Sequence, residues 1–134
     1  MVFIRLRNKV LVFLDTNFLL MPVKNKIDIF QEIQEKIPGA TLCTIDLVVD
    51  ELKKKKNIAS KTALMLLEAK KIKIYKTNEK EADEALLKIA QKKKGIIATN
   101  DYLLRKKSRL IKIPVLFLRK KRIICLTTGD LDVL

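Results

Sequence analysis

An α/β fold, a parallel sheet covered by helices on both faces, is predicted for this 134-residue sequence by three observations. Short apolar, β-branched runs without polar alternation recur along the chain, as in strands buried on both faces, and therefore in parallel sheets. Segments with apolar residues at helical spacing lie between them. No internal repeat or low-complexity linker interrupts the alternation, so strand and helix follow one another as crossover units do.

Residues 10–14, Val-Leu-Val-Phe-Leu, read as the first strand, which ends at Asp15. Pro22 marks a boundary, and beyond it Ile27, Phe30, Ile33 and Ile37 give a helix over 26–36, stopped by Pro38-Gly39. Residues 40–43 form a short strand, and Thr44 is placed to cap the next helix. That helix, 45–56, carries Ile45, Val48, Val49 and Leu52 on one stripe; the helix over 59–70 carries Ala63, Leu66, Leu67 and Lys70. A strand over 72–75 follows. Thr77 or Asn78 caps a helix running to about residue 93, Gly95 is its stop, and 96–98 is another buried strand, ending at Thr99-Asn100-Asp101. A short helix through Leu103 and Leu104 precedes a strand over 114–118, a basic turn over 119–122 and an edge strand over 123–126. Residues 127–134 read as a frayed tail. The length fits one domain spanning 1–134, with its core at about 10–118.

A hydrophobic fraction of 49% beside 33% charged residues excludes a disordered chain. The 29 Lys and Arg outnumber 15 Asp and Glu, and a net charge of +14 on so small a body favours a polyanionic partner, nucleic acid first. Lys53 and Lys54, Arg105 and Lys106, and the run Arg119, Lys120, Lys121 and Arg122 are the candidates to meet phosphates. Cys43 and Cys125 have neither disulfide-framework nor C-x-x-C spacing, and the chain has no His to complete a zinc site. They read as core residues in a reducing, cytoplasmic setting. No apolar run approaches the roughly 20 residues that span a bilayer, so no membrane association is expected.

In open parallel sheets, ligands bind beyond the carboxyl ends of the strands, and two such ends here present an aspartate, Asp15 and Asp101. Either alone would serve equally well as a helix cap; their recurrence at matching positions points to a site. Asp83 falls inside the apolar arc of its helix, between Leu86 and Leu87, whereas Glu84 points to the opposite side. A carboxylate among apolar neighbours is costly unless compensated, and a metal ion compensates it; the other reading is that Asp83 complements the dipole of the helix's first turn. Glu51 flanks the stripe of its helix and Asp50 lies opposite it; Asp46 flanks the other edge and stays a second candidate, while Glu51 with Lys55 would also make an ordinary surface pair. If the four acids converge, their repulsion calls for divalent cations, and hard oxygen ligands select Mg²⁺ or Mn²⁺. Such a cation acidifies water and stabilises charge on phosphate oxygens, which suits a chain without a histidine base.

The string Val12-Phe13-Leu14-Asp15-Thr16-Asn17-Phe18-Leu19-Leu20 resembles the opening of PIN-domain nucleases. Val48-Val49-Asp50-Glu51-Leu52, Glu81-Ala82-Asp83-Glu84-Ala85-Leu86-Leu87 and Ala98-Thr99-Asn100-Asp101-Tyr102-Leu103-Leu104 follow in the order of that family's later motifs. The resemblance implies an α/β/α sandwich with a five-stranded parallel sheet of order 3-2-1-4-5, making the strands before Asp15 and Asp101 neighbours. It implies that Asp15, Asp83 and Asp101 hold metal, that Glu51 completes the pocket, and that Thr16, Asn17, Thr99 and Asn100 support the carboxylates or touch the phosphate. The implied activity is metal-dependent endoribonucleolytic cleavage, in a VapC-type toxin or an RNA-processing nuclease. A toxin would have an antitoxin partner and form a homodimer; a processing enzyme would dock its basic tail on structured RNA. A PIN fold that binds RNA without cutting is the alternative. A haloacid-dehalogenase-like phosphatase would want Asp-x-Asp after the first strand, where Asn17 stands.

Overall fold

The computed structural model describes residues 10–120 and 122–126; Lys121 and the frayed tail expected at 127–134 lie outside them. In chain order the elements are β1 (Leu11–Leu14), α1 (Thr16–Asn25), α2 (Ile29–Lys36), β2 (Thr41–Ile45), α3 (Asp46–Lys55), α4 (Ile58–Ala69) and β3 (Lys73–Tyr75). They continue with α5 (Ala82–Lys93), β4 (Ile96–Ala98), α6 (Tyr102–Leu110), β5 (Val115–Arg119) and β6 (Arg122–Leu126). No helix among the described residues is long and apolar enough to cross a membrane.

The strands form one sheet in the order β3-β2-β1-β4-β5-β6. The first five are parallel, in the order 3-2-1-4-5 that the resemblance implied, and β6 returns antiparallel beside β5. The chain winds outward from β1 to β3, then crosses back to lay β4 on the other side of β1. The sheet therefore has its switch point between β1 and β4, where side chains beyond two neighbouring strand ends share a crevice. The register pairs Leu14 with Ala98, so the residues after them emerge side by side. Phe13 and Leu14 of β1 and Ile97 of β4 are fully buried, as continuous apolar runs predict for central parallel strands.

Several element ends differ from the sequence reading, each for a local reason. Pro22 does not precede the first helix but lies inside α1. A mid-helix proline costs about 3 kcal/mol, but α1 buries Phe18, Leu19 and Leu20, each stabilising by roughly 1.5–3 kcal/mol. Thr44 does not cap α3; its hydroxyl donates to the Leu14 carbonyl at 2.6 Å, binding β2 to β1, and Ile45 takes the cap position without a side-chain bond. Helix α5 starts at Ala82 behind Glu81, not at Thr77 or Asn78. Gly95 is not the left-handed cap of α5: Lys94 is, at φ 54°, and Lys26 and Lys56 end α1 and α3 the same way. Gly95 is needed for space, because a Cβ there would lie 2.7 Å from the Phe13 ring and 3.0 Å from the Leu11 carbonyl oxygen.

Candidate active site

Asp15 is the first residue beyond β1, and its N–H donates to the Ala98 carbonyl at 3.0 Å, extending the β1–β4 ladder by one bond. It is buried, with 6% of its surface exposed. One carboxylate oxygen accepts the Thr16 N–H at 2.8 Å and caps α1; the other accepts the Thr99 hydroxyl at 2.7 Å. Thr99 takes the place after β4 that matches Asp15, and Asp101 follows two residues later. Its Oδ1 accepts the N–H groups of Leu103 and Leu104 at 2.8 and 3.1 Å, capping α6. Both strand-end aspartates are thus helix caps that also line one crevice.

Asp83 stands in the first turn of α5, half-buried, while its neighbour Glu84 is exposed, the separation expected from the apolar arc. Glu51 reaches in from α3 and accepts the Thr16 hydroxyl. Asp46, the other candidate on that helix, is engaged elsewhere: it accepts the Thr77 hydroxyl at 2.7 Å and the Thr77 N–H at 3.1 Å, anchoring the segment after β3. Burial works against its charge, but the bonds from Thr77 together with the N–H groups of Leu47 and Asp46 itself hold the carboxyl below its usual range.

Asp15, Glu51, Asp83 and Asp101 line one open pocket of about 430 Å³ with Thr16, Asn17, Lys54 and Lys55. Burial pushes Asp15 up to about 6; the bonds from Thr99 and Thr16 oppose the rise, and the charges of Asp83 and Glu51 add to it. Asp83 is also raised, by burial first and then by Asp101 beside it, with Lys107 acting the other way. The acids therefore feel one another. The ion pair recorded among the described residues is Lys88 with Glu79, which leaves the pocket carboxylates without a paired cation there.

Four carboxylates and two threonine hydroxyls are hard oxygen donors, the set that suits Mg²⁺ or Mn²⁺. Among the described residues, no three of these acids close into a finished metal-ligand cluster. Their donor chemistry and shared, mutually repelling pocket nevertheless fit a divalent cation.

The supporting residues divide. Thr16 and Thr99 hold carboxylates, and Asn17 lines the pocket from an exposed position. Asn100 does not face the acids. Its amide bonds the Leu118 backbone both ways, at 3.0 and 2.8 Å, and so fixes the exit of β4 against β5. Of the basic candidates, Lys54 lines the pocket, Lys53, Lys106, Arg119, Lys120 and Arg122 are exposed away from it, and Arg105 is half-buried over the Phe117 ring at 4.3 Å. Lys55 was not among those candidates, yet it lines the pocket beside Lys54. Its place four residues after Glu51 on α3 was the available signal.

Known proteins resemble the chain in both sequence and shape. A family model described as PIN like domain matches residues 12–121. Ribonuclease VapC4 of Methanocaldococcus jannaschii is 35% identical over 117 residues, covering 81% of this chain and 89% of that protein. Ribonuclease VapC9 of Archaeoglobus fulgidus is 30% identical over 114 residues, covering 81% and 82%. The solved structure of the PIN domain endonuclease Utp24 superposes with a TM-score of 0.81 at 26% identity, covering 93% of this chain and 99% of that one.

Proposed function

The chain belongs to the PIN-domain family, and from that premise we propose that it is a divalent-metal-dependent endoribonuclease hydrolysing RNA phosphodiester bonds. The observation that carries this reading is the single pocket in which Asp15, Glu51, Asp83 and Asp101 meet, rimmed by Lys54 and Lys55 on a body of net charge +14. Asp15, Asp83 and Asp101 would hold Mg²⁺ or Mn²⁺, with Glu51 completing the set. The chemistry such a cation supplies when bound is acidified water and neutralised charge on the phosphate.

The chain's own groups do the positioning. Thr99 holds one oxygen of Asp15 and the Thr16 N–H the other, so the carboxylate has a fixed orientation. Thr16 also holds Glu51, tying the α3 acid to the β1 acid through one residue. Lys54 and Lys55 supply positive charge where an RNA phosphate must approach the four acids, which would otherwise repel it. Two settings suit the activity, a VapC-type toxin and an RNA-processing nuclease. Likeness to two ribonucleases named VapC supports the first, and its partner would be an antitoxin that fills the acidic pocket.

Incubation of a mixed RNA pool with the protein in Mg²⁺ or Mn²⁺, and then in EDTA, tests the assignment. Wild type should cut only with the cation, and Asp15→Asn and Asp83→Asn should not cut. Wild type that binds RNA but never cuts it would establish the non-cleaving alternative. Cleavage surviving both substitutions would remove these carboxylates from the chemistry.

A further inference from the structure

Aromatic side chains are scarce here, five Phe and two Tyr, and the fold uses nearly all that are described. Phe13, Phe18, Phe30 and Phe117 are buried. Tyr75 packs on Phe13 with ring centroids 5.7 Å apart, and Lys73 and Lys93 cover it at 4.8 and 5.0 Å. Tyr102 is the exception, with 65% of its surface exposed. Its place in the chain suggests a use.

Tyr102 is the first residue of α6 and follows Asp101 directly. Consecutive Cα atoms lie about 3.8 Å apart, so the backbone of Tyr102 adjoins that of Asp101, a residue of the acidic pocket. Its backbone is held by the Asp101 cap, so the ring projects from a fixed point. Beneath it lies Arg105, one helical turn on, with its guanidinium 5.8 Å from the Tyr102 centroid and 4.3 Å from that of Phe117. The Arg105 Nε is buried and has no hydrogen-bond partner among the described residues. Arg105 thus lies close to both rings, Phe117 buried and Tyr102 exposed. The rest of α6 adds Lys106, Lys107 and Arg109 and no acid, so the helix itself attracts a polyanion.

We infer that Tyr102, backed by Arg105, is a stacking platform for the unpaired nucleobase next to the phosphate in the acidic pocket. The inference rests on the endoribonuclease reading above and adds to it a substrate-positioning residue. Every base has a π-face, so the platform tolerates sequence, with purines favoured by their larger stacking area. A base seated on the ring orders the strand and brings its phosphate between the acids and the lysines.

The absence of Trp makes the test direct, because Tyr102→Trp gives the protein a sole tryptophan at the platform. With Asp83→Asn present to prevent turnover, titration with a short unstructured oligoribonucleotide should quench that emission. The same RNA should leave unquenched an Ile58→Trp control on α4, where Ile58 is 81% exposed. In the otherwise unaltered enzyme, Tyr102→Ala should raise KM about tenfold or more, the scale of one lost base stack, with kcat within about twofold; Tyr102→Phe should keep both. RNA that binds by anisotropy without quenching the Tyr102→Trp emission overturns the platform. So does Tyr102→Ala with an unchanged KM, and neither result touches the nuclease assignment. Quenching by poly-glutamate equal to that by RNA would mark the face as a site for charge alone and also overturn it. A wild type that neither binds nor cuts RNA overturns both readings together.

Discussion

Thr99 and Asp15 are 84 residues apart in sequence, and the hydroxyl of the first donates to the carboxylate of the second at 2.7 Å. The same hydroxyl accepts the Asp101 N–H at 3.0 Å, so one oxygen sets the relation between the acids at two strand ends. Thr99→Val keeps the shape and removes both bonds, leaving a buried carboxylate short of a partner. It should cost about 1–3 kcal/mol of stability. Cleavage should fall at least tenfold, because Asp15 and Asp101 lose their common brace, and Thr99→Ser should restore both quantities. Denaturant melts and initial rates in Mg²⁺ measure them.

The buried Asp15 makes metal-free stability depend on pH. Its carboxyl titrates near 6 in the folded chain against 3.8 as the ordinary value, so the folded state holds that proton more tightly. The contribution is fully present below pH 3.8 and is lost as pH rises through about 6, a loss of roughly 3 kcal/mol because the two states differ about a hundredfold in proton affinity. In EDTA at pH 7, Asp15→Asn should therefore be more stable than wild type, with the gap closing towards pH 4. Mg²⁺ or Mn²⁺ should reverse the order by stabilising wild type alone. Melts of the two proteins across this range, with and without cation, decide it; a variant less stable than wild type at pH 7 in EDTA would contradict the prediction.

Two acids on α3 should separate cleanly. Glu51 is exposed and joined to Thr16, so Glu51→Gln should change stability by less than about 0.5 kcal/mol while lowering cleavage at least tenfold. Asp46 secures Thr77 by its hydroxyl and its N–H, so Asp46→Ala should cost about 1–2 kcal/mol and leave cleavage within about twofold. Equal effects of both on rate would put Asp46 back among the site candidates.

The end of α5 supplies an opposed pair of substitutions. Gly95→Ala drives a methyl into the Phe13 ring and the Leu11 carbonyl, and overpacking of this kind costs about 1–3 kcal/mol. Lys94→Gly relieves a left-handed residue at φ 54° and should stabilise by about 1 kcal/mol, with cleavage unchanged. Thermal melts of the two single variants should move in opposite directions.

The strands are the most legible part of the chain. Residues 96–98 are read to the residue, because an apolar run between Gly95 and the polar Thr99-Asn100-Asp101 is too short for a helix. Asp83 is also readable, since helical periodicity alone distinguishes it from Glu84. Periodicity does not choose between Glu51 and Asp46, because both flank the same stripe; Thr16 and Thr77, both distant in sequence, make the choice. Thr44, Thr77 and Asn100 depart from their expected roles for one reason. A short polar side chain offers a cap or a site in one dimension, but its partner here is a backbone or a carboxylate from another strand or helix. Lys55 is hidden by an ordinary explanation, an i to i+4 pair with Glu51. It shares the pocket without forming that pair.

Strand β3 is only three residues long, and it lies at the edge of the sheet with Lys73 as its first residue. An edge that short offers little ladder for a second chain to continue, and the lysine charge repels a like copy. A protein whose substrate is a polyanion risks being concentrated many to a strand, where neighbouring sheets could fuse edge to edge. At the β3 edge, brevity and the lysine both disfavour that fusion.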